Sequence, residues 1–208
     1  ILKEKIFNNI WIQPAAGDAG GSLGAALAYW YKELNKPRIT FKDQMKGSYL
    51  GPKFNENEIE ENLKSLNANY KKLGINEIIS TTANELAKDK TVGWFQGRME
   101  FGPRALGGRS IIADPRSKTM QKELNLKIKF RESFRPFAPS ILANKVENWF
   151  ELDTESPYML LVSEIKKDKQ IKMTNEEKEL FGIDKLNINR SSIPAVTHVD
   201  YSARIQTV

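Results

Sequence analysis

Apolar positions along the chain fall into short, distinct patterns separated by Gly, Pro and Asn. Residues 10–35, IWIQPAAGDAGGSLGAALAYWYKELN, pass from a short apolar segment through a Pro- and Gly-rich turn into a helix. Ser22 is the expected cap of that helix, and Ala25, Ala26, Leu27 and Ala28 favour its propagation. Beyond Lys36 and Pro37 an extended stretch leads to a second helix. There Asn55 and Glu58 have the spacing of a capping box, Ile59, Leu63, Leu66 and Tyr70 keep helical spacing, and Gly74 is the expected stop. From Ser80 onward helix and strand patterns alternate. TTANELAKD predicts a short helix, TVGWFQG and RSIIAD predict strands, Asp114-Pro115 turns the chain, and SKTMQKELNLKIK predicts a helix capped by Ser117. NKVENWF and TNEEKELFG, the latter with a Thr174/Glu177 capping box, add two helical pieces, while PYMLLVSEI and ARIQTV read as strands. The alternation is that of an α/β protein. Residues 166–192 are polar with little periodicity and read as an excursion from the core.

Composition adds bounds. The 208 residues, 40% hydrophobic and 10% aromatic, supply the core of one ordinary domain or somewhat more. The opening strand, turn and helix are about forty residues, too few to bury a core alone, and are expected to belong to a domain whose larger part lies elsewhere. A start without Met and a last strand that reads as cut partway fit a piece of a longer protein. The absence of Cys removes disulfides, thiolate nucleophiles and Cys-based zinc sites, and points to a reducing compartment. No stretch approaches the roughly 18 apolar residues of a membrane span, and the start has no signal-peptide core. The expectation is a soluble, cytoplasmic protein with no membrane partner.

The charge pattern is more informative than its sum. The formal net charge is +6, and all of that excess falls in residues 97–135, which hold six of the nine Arg. Arg98, Arg104, Arg109, Arg116, Arg131 and Arg135 stand there with four Lys against Glu100, Asp114, Glu123 and Glu132, so the chain carries a local anion site rather than a generally basic surface. Arginine offers a planar fork that holds two oxygens of a phosphate or carboxylate at once. Gly102 and Pro103 before Arg104, and Gly107 and Gly108 before Arg109, mark bends that fix where these side chains point, which a solvated charge run does not need. In IKFRESFRPFAPSIL, Lys129, Arg131 and Arg135 alternate with Phe130, Phe134 and Phe137, which are expected to hold the cations against a core. Arg98, Arg109, Arg116 and Arg131 are equally well read as ion-pair partners of the four acids, whereas Arg104 and Arg135, each beside a proline, are the better anion ligands.

Two further features stay open at this level. Gly17, Gly20, Gly21 and Gly24 with Asp18, ahead of a helix, suit either a phosphate cradle or a tight turn before a well-packed helix, and match neither a Walker A loop nor G-x-G-x-x-G. His198 is the only histidine, and a lone His is more often structural than catalytic.

GRMEFGPRALGGRSIIADPR, IKFRESFRPFAPSIL and IPAVTHVDYSARIQTV, in this order and spacing and preceded by GDAGGSLGAAL, closely resemble the carboxy-terminal half of the carbamoyltransferases typified by the nodulation protein NodU and the antibiotic-tailoring O-carbamoyltransferases. The resemblance implies a YrdC-like α/β domain over 46–208, preceded over 1–45 by the end of an actin-like (Kae1-like) domain. It implies that ATP and carbamoyl phosphate give carbamoyl adenylate and pyrophosphate, and that the carbamoyl group then passes to an acceptor hydroxyl with help from a divalent metal ion, iron or magnesium. By the same resemblance Asp18 is a metal ligand, and Gly20, Gly21 and Ser22 lie on a nucleotide-binding turn. Arg104, Lys129 and Arg135 are the catalytic cations, and with Arg204 they hold the carbamoyl phosphate and nucleotide phosphates. The implied partners are these substrates, with a homodimer admitted and nucleic acid disfavoured; the alternative is a YrdC-like module that binds RNA or tRNA without carbamoyl transfer. Gly108 stands where the family often has Asn, and Tyr201-Ser202 where a smaller, Gly-containing pair is common. The family's paired metal-binding histidines would lie upstream of Ile1 and its Asn-Thr-Ser-Phe-Asn stretch beyond Val208, so these residues alone are expected not to complete carbamoyl transfer.

Overall fold

A computed structural model describes residues 1–38 and 43–208. The first helix, α1, spans Asp18–Ala28 and runs on through a wider turn at Tyr29–Glu33. It starts four residues before the cap expected at Ser22. Gly17 is the residue ahead of it, and the Ser22 hydroxyl donates to the Ala19 carbonyl at 2.7 Å, back into the first turn instead of capping it. Gly20 is required there by packing: a Cβ would lie 2.2 Å from the Ala15 carbonyl oxygen. The next helix, α2 (Glu56–Ser65), has its capping box in both directions, Glu58 N–H donating to Asn55 Oδ1 at 3.0 Å and Asn55 N–H to Glu58 Oε2 at 2.7 Å. It stops short of Tyr70, with Asn67 in left-handed backbone (φ 51°) just beyond its end, and Gly74 opens α3 (Ile75–Ala87) instead of closing α2.

Strands β1 (Val92–Phe95) and β2 (Arg109–Ile112) form an antiparallel pair with Val92 opposite Ile112 and Phe95 opposite Arg109. Helix α4 is short, Met120–Glu123, and is prolonged by a wider turn over Leu124–Ile128. Ser117 does not cap it. Ser117 is buried in the Asp114-Pro115 turn, its N–H directed to the Asp114 carbonyl, and Thr119 is the residue before the helix. Then follow β3 (Ser140–Ile141), a tight helical turn at Ala143–Asn148, and β4 (Leu161–Glu164). The polar excursion holds two small helices, α5 (Asn175–Glu179), with the Thr174/Glu177 box formed, and α6 (Gly182–Leu186). The chain returns as β5 (Ser202–Thr207), the middle strand of a sheet ordered β3-β5-β4, parallel to β3 and antiparallel to β4.

Side chains alternate across a strand. Ala203 and Ile205 of β5 therefore enter the main core, fully buried among Val146, Phe150, Ile165 and Val196, while Ser202, Arg204 and Gln206 take the other face. A second cluster, Met45, Leu106 and Tyr158, receives Leu23 of α1. Tyr158 is anchored there: its hydroxyl donates to Asp43 and accepts the Gly47 N–H at 3.2 Å, and burial followed by the Asp43 contact pushes its pKa up to about 12. The rest of the opening segment leaves Ile6, Phe7, Trp11, Tyr29 and Trp30 exposed. Among the described residues no helix is long and apolar enough to cross a membrane. Mixed helix and sheet is thus observed, as the alternating patterns predict.

Candidate functional site: an arginine pair between a loop and a strand

The loop joining β1 to β2 is folded around one carboxylate. Glu100 is buried, and its Oε1 accepts the N–H groups of Leu106 (2.7 Å), Gly108 (2.7 Å) and Arg109 (3.4 Å). Its Oε2 faces Arg109 Nε at 3.3 Å, and Arg109 Nη2 donates to the carbonyls of Glu100 and Gly102. Burial pushes the Glu100 carboxyl up, but the backbone donors together outweigh it and hold the group below its ordinary value. Gly108 has to lack a side chain, since a Cβ would stand 2.6 Å from the Arg98 carbonyl oxygen. The result is a closed loop with Arg104 at its turn.

Two contacts hold that loop, one from the turn after Lys46–Ser48 and one from the main sheet. The Leu106 carbonyl accepts from Tyr49 Oη at 2.7 Å and from Gln206 Nε2 at 2.9 Å. Gln206 and Arg204 share a face of β5, so the bond that docks the loop also brings Arg104 toward Arg204. The Arg204 pKa is lowered, first by burial and then by the Arg104 charge. Each guanidinium has a buried Nε with no hydrogen-bond partner among the described residues. Two half-buried cations held together, with no counter-charge paired to them among the described residues, form a candidate site for an oxyanion.

His198 borders this pair. Its Nδ1 lies 3.0 Å from Ser202 Oγ, which donates to Asp200 at 2.7 Å, and its Nε2 is buried with no hydrogen-bond partner among the described residues. Burial first, then the Arg204 charge, lowers its pKa against the opposing pull of Asp200, which leaves a neutral ring at pH 7. The turn beneath it holds Tyr201 at φ 65°, left-handed backbone that a glycine adopts without strain, which is where the family's small pair would sit.

The glycine-rich turn adjoins the loop. Gly102, at φ 108°, passes so close to Ala15 that a Cβ would lie 3.0 Å from the Ala15 Cβ, and Leu23 packs on the cluster containing Leu106. Asp18, Gly21 and Ser22 at the start of α1 are exposed, Gly20 is half-buried, and Gly21 has open space where a side chain would be. Lys129 and Arg135 occupy a different setting, the exposed loop after α4, where Arg135 pairs with Glu132 at 2.9 Å. Among the described residues neither of them is bonded to Arg104 or Arg204. The Phe residues of this loop do not wall the cations in. Phe130 is 85% exposed, in left-handed backbone (φ 48°), and Phe134 is exposed; Phe137 alone packs inward, with the Arg131 guanidinium 5.1 Å from its ring. Arg109 and Arg116 are the ion-pair partners of Glu100 and Asp114, while Arg98 donates to the Gly51 carbonyl and Arg131 to Asn125.

A metal has no complete cage here. Among the described residues no group of three or more His, Asp or Glu could hold an ion, so Asp18 would need ligands from outside them. Sequence reasoning missed the organising roles of Glu100, Tyr49 and Gln206. The one signal available was the two-residue step from Arg204 to Gln206 in a predicted strand.

The chain is thus an α/β protein that brings Arg104 and Arg204 together, on a loop that touches the segment leading into the glycine-rich turn. The family described as Carbamoyltransferase C-terminus matches residues 83–208, and the chain belongs to that family. It is 59% identical over its whole length to an uncharacterised protein of Synechocystis sp., covering 34% of that protein. It is 37% identical, again over its whole length, to nodulation protein NolO of Bradyrhizobium diazoefficiens, covering 34% of it. It is 34% identical over 98% of its length to nodulation protein U of Rhizobium fredii, covering 29% of that chain. The chain spans about a third of the length of these relatives.

Proposed function

We propose that this chain is the carbamoyl-activating part of an ATP-dependent O-carbamoyltransferase. In that reaction carbamoyl phosphate loses its phosphoryl group to water, and a carbamate oxygen attacks the α-phosphorus of ATP. Pyrophosphate leaves, and carbamoyl adenylate forms. The acceptor hydroxyl oxygen then attacks the carbamoyl carbon, its proton is released, and AMP departs. Adenylate formation concentrates negative charge around one phosphorus, and fixed cations stabilise that charge as it moves. The observation that carries the reading is the convergence of Arg104 and Arg204, each with a buried Nε that has no partner among the described residues. Arg104 and Arg204 hold phosphate oxygens, Gly20, Gly21 and Ser22 border the nucleotide, and Lys129 and Arg135 close over it from their exposed loop. A divalent metal bound partly by Asp18 would aid acceptor transfer.

The test is carbamoyl-phosphate-dependent exchange of labelled pyrophosphate into ATP in the full-length protein. Exchange is expected in the wild type and a loss of about 100-fold or more in Arg104→Ala, on the scale of removing one transition-state donor. A folded Arg104→Ala protein that exchanges at the wild-type rate overturns the assignment.

A second reading gains weight from one observation: Phe130 and Phe134 are exposed beside Lys129 and Arg135, as in a platform that stacks unpaired bases. RNA binding of that kind falls steeply with salt. Binding to single-stranded RNA that survives in Phe130→Ala, or is indifferent to salt, removes this reading.

A further inference from the structure

Asn125 stands in the helical turn that prolongs α4, a place that its helix propensity does not favour, and it is fully buried. Its amide bonds only to the loop that follows. Oδ1 accepts from Arg131 Nε at 2.6 Å, and Nδ2 donates to the carbonyls of Ser133 at 3.0 Å and Arg135 at 2.8 Å. A donor on one side and two acceptors on the other fix which end of the amide is oxygen. The backbone repeats the contact, since the Arg131 N–H donates to the Asn125 carbonyl at 3.0 Å. Gln121, one turn earlier, donates to the Phe134 carbonyl at 3.1 Å and to the Arg135 carbonyl at 3.3 Å. The Arg135 carbonyl therefore receives two donors, and Pro136 behind it disfavours helical backbone at Arg135.

The Arg135 side chain is held less firmly than the backbone it springs from. Its Nε pairs with Glu132 Oε2 at 2.9 Å, but both side chains are exposed, and an ion pair of that kind contributes little. A guanidinium so tethered can exchange Glu132 for a phosphate while its root stays in place. We propose that Asn125 is a positioning residue for the Arg135 cation: from inside the core its amide fixes the backbone of residues 133–135, so that the guanidinium reaches the nucleotide phosphates from a set origin. Gln121 is the outer brace of the same carbonyl. The proposal rests on the function proposed above, in which Arg135 meets those phosphates. Misplacing a reacting or stabilising group by about 1 Å costs about 100-fold in rate, so fixing the root of a cation has a catalytic consequence without any contact to substrate.

The experiment measures carbamoyl-phosphate-dependent pyrophosphate exchange in the full-length protein at varied ATP, each rate divided by the folded fraction from a melting curve. Wild type is compared with Asn125→Asp, Arg135→Ala and the double variant. Asn125→Asp keeps the size of the side chain and the acceptor for Arg131 but gives up the two N–H donors to the loop. It is expected to lower exchange per folded molecule about tenfold or more and to repeat the kcat and KM pattern of Arg135→Ala. Added to Arg135→Ala, it is expected to deepen the loss by no more than about twofold, as for two residues that act as one unit. A role confined to folding leaves the rate per folded molecule and KM unchanged, and that result overturns the proposal. Losses that multiply in the double variant also overturn it, because Asn125 then acts elsewhere. Arg135→Ala at the wild-type rate overturns it too, since no cation is left to position. Should Asn125→Asp fail to fold, Gln121→Met takes its place, because Gln121 is only half-buried and serves the same carbonyl. A several-fold loss that vanishes in the Arg135→Ala background then supports the proposal, and unchanged exchange overturns it. The Arg104→Ala test stands apart. Its failure, or a wild type without exchange, strikes the function proposed above, whereas unaltered Asn125 variants beside a loss in Arg104→Ala strike this inference alone.

Discussion

Glu100 shows how one residue sets the geometry of a candidate anion site from outside it. Its Oε1 gathers three backbone N–H groups, and the loop that carries Arg104 closes on it. Because its folded pKa lies below the ordinary 4.5, its contribution to stability is fully present above pH 4.5 and is lost as pH falls through the lower, folded value. Glu100→Gln keeps an acceptor oxygen but gives up the charge, and is expected to lower stability by about 1–3 kcal/mol at pH 7. It should also flatten the acid-side slope, which urea midpoints between pH 3 and 7 would show. An unchanged slope would mean that Glu100 is not the titrating group. The bend that precedes Arg104 was legible from Gly102 and Pro103. The part played by Glu100 was not, because a carboxylate that folds backbone donors onto itself looks, in sequence, like one more ion-pair partner.

At the scale of elements, the capping boxes at Asn55 and Thr174 were readable and formed as read, since their chemistry is contained in four consecutive residues. Asn55→Ala is expected to destabilise α2 by about 1 kcal/mol. Amide exchange should speed up in the first turn of α2 and stay unchanged in β5. Helix ends chosen by packing were less readable. Ser22 and Ser117 have the right type for caps, but Gly20 against Ala15 and the burial of Ser117 decide where α1 and α4 begin. The phenylalanines after α4 were misread for a related reason: alternation of Phe with cations resembles a buried face, whereas left-handed backbone at Phe130 accompanies a ring turned out to solvent.

Across the whole molecule, the decisive contact joins residues 100 apart, the Gln206 amide and the Leu106 carbonyl, and no local pattern announces it. Gln206→Met is expected to lower stability by about 1 kcal/mol, because Tyr49 still serves the carbonyl. Pyrophosphate exchange should fall further than that loss accounts for, since Arg104 would no longer be docked beside Arg204. Exchange that merely follows the unfolded fraction would show that Gln206 is a brace and nothing more. The alternation along β5 has one more consequence, for fidelity of assembly. A one-residue slip of this strand would thrust Arg204 into the oily interior and turn Ile205 outward. The mispaired chain would forfeit its core and its candidate anion site in the same error, so the strand that carries Arg204 also proofreads its own alignment.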